Sequence, residues 1–219
     1  MTAQMGLVLS AIAFVGTHFL LSHRLRDPLV RAVSEGPFRG IYSLVALITF
    51  GLMVYFYRLI GREPPDLWQS GEAAWIIGTV LMWFASILFV GSFVKNPALA
   101  GAPGPVGGPT GVLRITRHPM MWSFAIWAAV HLMILGQPKS LVLDGAIIIL
   151  ALAGAAGQDR KKARIMGEAW HEWTAETAFV PFTRGLAYPG TVAFAGGTIL
   201  FLAATWLHPV PAGIWRWIG

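Results

Sequence analysis

Three observations predict an all-α, polytopic membrane protein with about six transmembrane helices. Hydrophobic residues make up 56% of the 219-residue chain and charged residues 12%, and mean hydropathy is +0.63, a composition suited to a bilayer. Apolar residues gather in six long stretches, near 4–22, 40–60, 73–94, 119–136, 140–157 and 189–207. At roughly 1.5 Å of rise per residue, each can cross a hydrocarbon core of about 30 Å, counting the residues at its ends. Basic residues, finally, alternate loop by loop. Arg24, Arg26, Arg31 and Arg39 follow the first stretch, Lys95, Arg114 and Arg117 the third, and Arg160, Lys161, Lys162, Arg164 and Arg184 the fifth, twelve of the sixteen Lys and Arg. Basic loops stay cytoplasmic, so this split predicts an even number of spans with both termini non-cytoplasmic.

The first stretch lacks a basic segment before it and carries its charges afterwards, which predicts a retained helix in place of a secretion signal. The second and third are long and almost free of charge. Between the third and fourth lies 96–111, with nine Gly or Pro among sixteen residues, where no regular element can propagate. It reads as a flexible connector or as a lid that binds headgroups; without a following Gly-Lys-Ser/Thr it is no phosphate-binding loop. The fourth and fifth stretches are the shortest and are joined by Gly136-Gln137-Pro138-Lys139, a tight hairpin. Over 158–177, Met166, Ala169, Trp170, Trp173 and Thr177 recur at three- and four-residue spacing, with Arg160, Lys161, Arg164, Glu168 and Glu172 mostly off that stripe. This predicts one cytoplasmic interfacial helix whose tryptophans sit at headgroup depth or face a cofactor. After the sixth stretch, His208-Pro209 and Ile214-Trp215-Arg216-Trp217-Ile218 read as an anchor at the outer interface.

No polar linker is long enough to separate two units, so 1–219 reads as a single domain. The net charge of +6 is accounted for by anionic lipid and topology, making the bilayer the partner and leaving no need for a nucleic acid. With no cysteine, the chain has no disulfide, thiolate nucleophile, iron–sulfur cluster or thiolate haem ligand.

Chemistry then falls to six histidines. His18 and His23 lie about 140° apart around a helix, which rules out an i,i+4 metal pair. His118 and His131 are about 20 Å apart along theirs and serve different sites. A zinc hydrolase is disfavoured, because there is no His-Glu-x-x-His and no carboxylate cluster within a span. His23 and His171 read as solvated. His18 and His131 remain, each inside a span beside small residues, where an ionisable group needs a reason. Two neutral imidazoles from different spans can ligate a haem iron; equally, each can hydrogen-bond a backbone carbonyl or polar group nearby. Asp144 falls at a depth similar to that of His131, where it can accept His131 Nδ1–H and leave Nε2 for a metal. Arg58 and Arg62 at the outer end of the second stretch are candidates for haem propionates or for snorkelling to the interface.

Gly16-Thr17-His18, Leu25-Arg26, Phe38 to Leu44, Asn96-Pro97, Arg117-His118-Pro119-Met120-Met121-Trp122, Ile126-Trp127-Ala128 and His131-Leu132 resemble the NnrU family of integral membrane proteins, over nearly the whole chain. That family includes plant and cyanobacterial zeta-carotene isomerases, and its bacterial members were named for an association with nitrite and nitric oxide reduction. The resemblance implies a multi-pass protein of the bacterial inner membrane binding haem b, with His18 and His131 as iron ligands and catalytic residues. It also implies a hydrophobic small-molecule substrate, a polyene isomerised from cis to trans when haem reduction frees one axial position. The electron donor is not identified by it. The chain departs from the family pattern at Leu135 and Gln137, where Asn and an acidic residue are expected, and at Asp144, where an apolar residue is common.

Two other functions fit the same residues. Arg117-His118-Pro119, with Asp159-Arg160, Gly167, Trp170, Trp173 and Phe179-Val180-Pro181-Phe182, also resembles the cytoplasmic half of isoprenylcysteine-type membrane methyltransferases. There the turn would hold S-adenosylmethionine, Arg117 and His118 at the cofactor and the helix begun by Pro119 facing its carboxylate. The Tyr expected of that turn is Met121 or Trp122 here, and the paired glutamates are replaced by Asp159-Arg160. Without that chemistry His118 reads as a helix-capping, interfacial residue. The other function is that of an accessory protein serving haem or nitric oxide in denitrification.

Overall fold

The computed structural model describes residues 2–62, 66–99, 102 and 104–218, and it is all-helical among them. Its helices are α1 (Ala3–Phe19), α2 (Arg26–Val33), α3 (Glu35–Ile60), α4 (Glu72–Gly91), α5 (Pro119–Ile134), α6 (Pro138–Met166), α7 (Glu168–Glu176), α8 (Thr191–Trp206) and α9 (Trp215–Ile218). Four stretches are long and apolar enough to cross a membrane: Ala3–Arg24, Glu35–Ile60, Glu72–Gly91 and Pro138–Met166. The helices α5 and α8 are also apolar but have 16 residues each, about 24 Å of rise against a hydrocarbon core of about 30 Å. All six predicted stretches are therefore helices, two of them shorter than a full span.

Contacts divide the chain into two compact units, one of Met1–Gln69 with Leu135–Leu150, the other of Ser70–Ile134 with Ala151–Gly219. In the first, Thr2 caps α1 by accepting from the Met5 amide at 3.2 Å. The helix then loosens into a π-turn over Leu20–Arg24, a distortion that recurs at functional sites. A bend at Ser34, φ 65°, separates α2 from α3, and Arg26 closes it with two 2.8 Å bonds to the Glu35 carboxylate. The partners of α1 and α3 run in opposite order: Gly6 under the Phe56 ring, Phe14 against Phe50 at 5.5 Å, and His18 against Tyr42 at 5.4 Å. This is an antiparallel hairpin. Only 11% of the apolar stretch of α3 is buried, and Leu44, Leu47, Ile48 and Leu59 face outward, as lipid requires. The start of α6 joins the hairpin through Tyr57 and Ser140 at 3.1 Å, Lys139 to the Gly61 carbonyl, and Gln137 to Asp66 at 3.1 Å.

In the second unit α4 packs against both α5 and α8. Gly78 sits on Val130 while Phe89 meets Phe124 at 5.7 Å, so α4 and α5 are antiparallel. Gly197 of α8 lies directly on the Ile87 backbone, with Gly196 on Val90 and Ala193 on Gly91, so α8 is antiparallel to α4 as well. Small residues permit such approach where apolar collapse contributes little between helices in lipid. Trp83 Nε1–H donates to Thr198 Oγ1 at 3.0 Å along the same seam.

Two expectations change. The stretch 158–177 is not one interfacial helix: residues 158–166 continue α6, because nothing breaks the helix until Gly167, at φ +56°, and only Glu168–Glu176 form a separate helix. Its tryptophans also point inward. Trp170 is 1% and Trp173 5% exposed, packed with Ala98 and Leu113, and their indole N–H groups have no partner among the described residues. Of the loop 96–111, Ala100, Gly101 and Pro103 lie outside the described residues. Its beginning is pinned: Asn96 bonds the Ser92 carbonyl and the Ala98 amide, and Lys162 Nζ donates to the Pro97 carbonyl at 2.7 Å.

Candidate functional site

His18 closes α1 just before the π-turn. Its Nδ1–H donates to the Phe14 carbonyl one turn back, at 2.6 Å. Phe14 and Tyr42 stand edge-on to the ring with centroids at 4.5 and 5.4 Å. The half-buried imidazole is thus fixed in one tautomer, with the Nε2 lone pair outward and without a protein partner among the described residues.

His131 in the last turn of α5 repeats the arrangement in the second unit. Its Nδ1–H donates to the Trp127 carbonyl at 2.8 Å, and the Trp127 indole lies 4.1 Å away, tilted 33°. That carbonyl takes the place expected for Asp144. The backbone acceptor arises from the i−4 spacing of the helix itself, so no carboxylate is needed to orient the ring. Asp144 belongs to the other unit, where it is 2% exposed on α6, one turn past the Ser140 that bonds Tyr57. Arg58 is exposed near the C-terminal end of α3. Beyond that helix, Arg62 pairs with Asp66 at 3.0 Å. The Gln137 amide, then Arg62, hold the Asp66 carboxyl below its usual range.

Arg117 and His118 meet in a cluster of the second unit whose centre is Asp159. Arg117 makes three bonds to the Asp159 carboxylate, at 3.1, 3.0 and 2.7 Å, and a fourth to the Thr177 carbonyl at 3.0 Å. His118 Nε2–H donates to Asp159 Oδ1 at 2.8 Å. Around them, the Arg117 amide donates to the Ala178 carbonyl, Thr116 Oγ and Trp122 Nε1 both donate to the Phe179 carbonyl, and the Phe182 amide donates to the Ile115 carbonyl. Thr116 Oγ1 also accepts from the His118 amide, a local turn just before α5. The beginning of α5, the middle of α6 and the strand of chain after α7 are thereby tied into one polar knot.

One atom of that knot is left over. His118 Nδ1 has no partner and borders a cavity of about 20 Å³ with Asn96, Ala98, Leu99, Met120, Met121 and Gln158. This is room for about one water, not for a nucleoside-sized cofactor, which needs some hundreds of Å³. Arg117, the residue expected at a cofactor carboxylate, is fully engaged with Asp159 and Thr177.

No group of three or more His, Asp or Glu side chains is placed to hold a metal ion among the described residues. What the chain offers a metal is single imidazoles with a free Nε2. His18 and His131 are the imidazoles that would hold a haem iron. His208, read from sequence as part of the outer-interface anchor, has its ring centroid 6.3 Å from that of His131. It follows a proline-bordered helix end, and no local pattern links it to α5.

The chain is similar to known proteins along nearly its full length. It is 29% identical to the chloroplastic 15-cis-zeta-carotene isomerase of Arabidopsis thaliana over 168 residues, 72% of this chain and 44% of that protein. It is 28% identical to the Zea mays protein of the same description over 187 residues, 80% of this chain and 49% of the other. The chain thus spans about half the length of the curated relatives it matches. No solved structure matches it. The NnrU protein family matches residues 6–216, and the chain belongs to that family.

Proposed function

We propose that this protein is a multi-pass membrane isomerase, of the bacterial inner membrane, that converts a cis double bond of a carotenoid-type polyene to trans, with a haem b ligated by His18 and His131. The observation that carries the reading is the match to the NnrU family together with two isomerases as relatives. The two histidines support it locally, each with Nδ1–H committed to its own helix and Nε2 free. Six helices cross or enter the bilayer with both termini non-cytoplasmic, following the distribution of basic residues.

When bound, a haem supplies a redox-switchable iron that can interact with a conjugated double bond and lower its rotational barrier. The chain's own residues prepare for this. Phe14 and Tyr42 restrain His18, and the Trp127 indole restrains His131, so that both rings are oriented before a metal arrives. Mostly apolar outer faces, such as that of α3, let a long hydrophobic substrate approach from the lipid phase. Nothing in the reaction requires a proton to move.

The test is a pair of measurements on detergent-purified protein. An absorption spectrum should show a Soret band that sharpens on dithionite reduction, with resolved α and β bands. The reduced protein should then convert 15-cis-zeta-carotene to a trans product separable by chromatography, while the oxidised protein leaves it unchanged. His131→Ala should lower haem content and turnover at least tenfold. Full haem content in the His18→Ala, His131→Ala double variant would make the ligand assignment wrong, and equal turnover without haem would remove the redox gate.

A further inference from the structure

A cavity of about 200 Å³ opens within the second unit, where the C-terminal end of α4, the turn at 110–112 and the start of α8 meet. Gly91, Val94, Val112 and Ala193 give it apolar walls, and no charged residue lines it among the described residues. One wall is a crossing of two backbones. Gly111, at φ +55°, runs so close to Pro189 that a Cβ there would stand 2.7 Å from the Pro189 carbonyl oxygen. Such a wall has no side chain to swing inward, so a change of rotamer there does not close the space. At the rim, Val94 and Val192 are 40% and 66% exposed and continue the apolar surface outward.

Depth says what kind of molecule suits it. The 20 residues of α4 rise about 30 Å, the thickness of the hydrocarbon core, and Gly91 is the last of them. The cavity therefore lies where hydrocarbon gives way to headgroups. Phospholipid tails begin at this depth and end near the bilayer midplane, so they present no apolar terminus here. A hydrocarbon without a headgroup, about as long as the core is thick, does. The distance to His131 fits the same molecule. Gly78 packs on Val130, the neighbour of His131, and Gly91 lies thirteen residues farther along α4, about 20 Å. In a 15-cis carotene the bent bond is central, and about fifteen carbons advancing about 1.2 Å each reach about 18 Å from it to the chain end.

We propose that this cavity receives the isoprenoid end of the polyene whose central bond is isomerised at the level of His131. This rests on the isomerase reading above. An apolar cavity of about 150 Å³ holds benzene, so about 200 Å³ takes a branched, acyclic end of roughly six to eight carbons. A trimethylated cyclohexene ring, with about nine carbons in a wider outline, exceeds it. The cavity thus selects acyclic chain ends, and by holding one end it sets which bond of the chain lies opposite His131. The central cis bond bends the polyene, so the second half need not follow the first along α4.

The experiment measures binding apart from turnover. Oxidised, detergent-purified protein is titrated with 15-cis-zeta-carotene, with quenching of tryptophan fluorescence giving Kd; the reduced protein then gives kcat and KM. Thr191→Phe and Val94→Phe, at exposed positions lining the cavity, narrow it without touching the core. Each should raise Kd and KM about tenfold, the loss expected when a couple of CH2 groups are no longer buried, and leave kcat at saturation unchanged. A 15-cis polyene of equal length with cyclised ends should bind wild type about tenfold more weakly. Squalene, which carries the same branched acyclic ends, should displace the substrate from wild type, and tetracosane, a straight alkane of equal chain length, should not. These last comparisons need no variant to fold. If the reduced wild type turns over the substrate while both variants and the cyclised polyene give wild-type Kd and KM, this inference alone fails. Equal displacement by squalene and tetracosane would make the cavity an unselective site for hydrocarbon chains and overturn it as well. If wild type neither binds nor isomerises the polyene, the isomerase reading fails and takes the inference with it.

Discussion

His18 and His118 sit in different units and are held in opposite ways. The His118 side chain is fully buried, bonded to Asp159, and enclosed by a carboxylate that Arg117 already grips. His18 bonds only the carbonyl of its own helix and rests between two aromatic edges. The contrast extends to their surroundings. The first unit is a lightly buried hairpin, with side-chain contacts as rungs and a mostly outward-facing α3. The second is tied by side-chain bonds to backbone carbonyls 57 to 63 residues away. A buried polar group with every neighbour engaged serves architecture, because its bonds compensate its desolvation and leave little for a ligand. His118 Nδ1 is likewise without a partner but is buried beside room for about one water, whereas the His18 ring is only half-buried. Of the two conspicuous sequence motifs, Arg117-His118-Pro119 is therefore committed to internal bonds, whereas Gly16-Thr17-His18 is bonded only within its own helix.

Asp159→Ala breaks this comparison most directly. Arg117 and Asp159 are 13% and 19% exposed at their side chains, so removing the carboxylate strands a mostly buried guanidinium and orphans His118 Nε2 as well. Breaking such a pair costs about 3–5 kcal/mol, a fall in thermal midpoint on the order of 10 °C for a chain of this size. Asp159→Asn, which keeps one acceptor oxygen, should fall less. A midpoint unchanged in detergent, with altered ligand binding instead, would move the cluster from architecture to chemistry.

How much of this was legible follows from the range of each interaction. The six apolar stretches were readable because hydropathy is a sum over neighbours. Their ends were less so: α5 stops at Ile134, before Gly136 and Pro138, while α6 runs past 157 because only Gly167 interrupts it. The stripe of Trp170 and Trp173 showed which face of α7 is apolar; it could not show that Ala98 and Leu113 cover it. His18 and His131 stood out as ionisable groups within apolar runs, and their carbonyl acceptors follow from helical i−4 geometry. The partnership of His118 with Asp159, forty-one residues away, and the approach of His208 to His131 depend on how helices pack, which leaves no local trace. The acceptor for His131 Nδ1–H is the Trp127 carbonyl of its own helix in place of the expected Asp144.

Glycine-to-alanine changes compare the packing of the two units with a smaller effect. A Cβ on Gly197 would lie 2.5 Å from Ile87 Cα and 2.7 Å from Ile87 N, and backbone cannot rotate away. Gly197→Ala should destabilise by about 1–3 kcal/mol as the α4–α8 seam is forced apart. Gly51 on α3 has nothing within 4 Å, so Gly51→Ala should be neutral or stabilise by up to about 1 kcal/mol through helix propensity. Equal midpoints for the two variants would mean that the α4–α8 seam is no tighter than the outward face of α3.

The smallest effect is expected at the edge of the first unit, where Asp66 accepts from Gln137 and Arg62. The Leu67 amide beside it donates to the Gly136 carbonyl. Because these partners lower the Asp66 pKa, first through Gln137 and then through Arg62, the ionised form is the one the folded loop favours. That contribution is complete above the unfolded carboxyl value of about 3.9 and disappears as pH falls through the lower folded value. The loop is exposed, so salt should weaken the Arg62 part and leave the Gln137 part. Asp66→Asn should therefore speed hydrogen exchange at the Leu67 amide relative to wild type at neutral pH, by a factor that shrinks toward one in strong acid. A rate ratio independent of pH would mean that the charge on Asp66 contributes nothing and that the backbone bond to Gly136 holds the loop by itself.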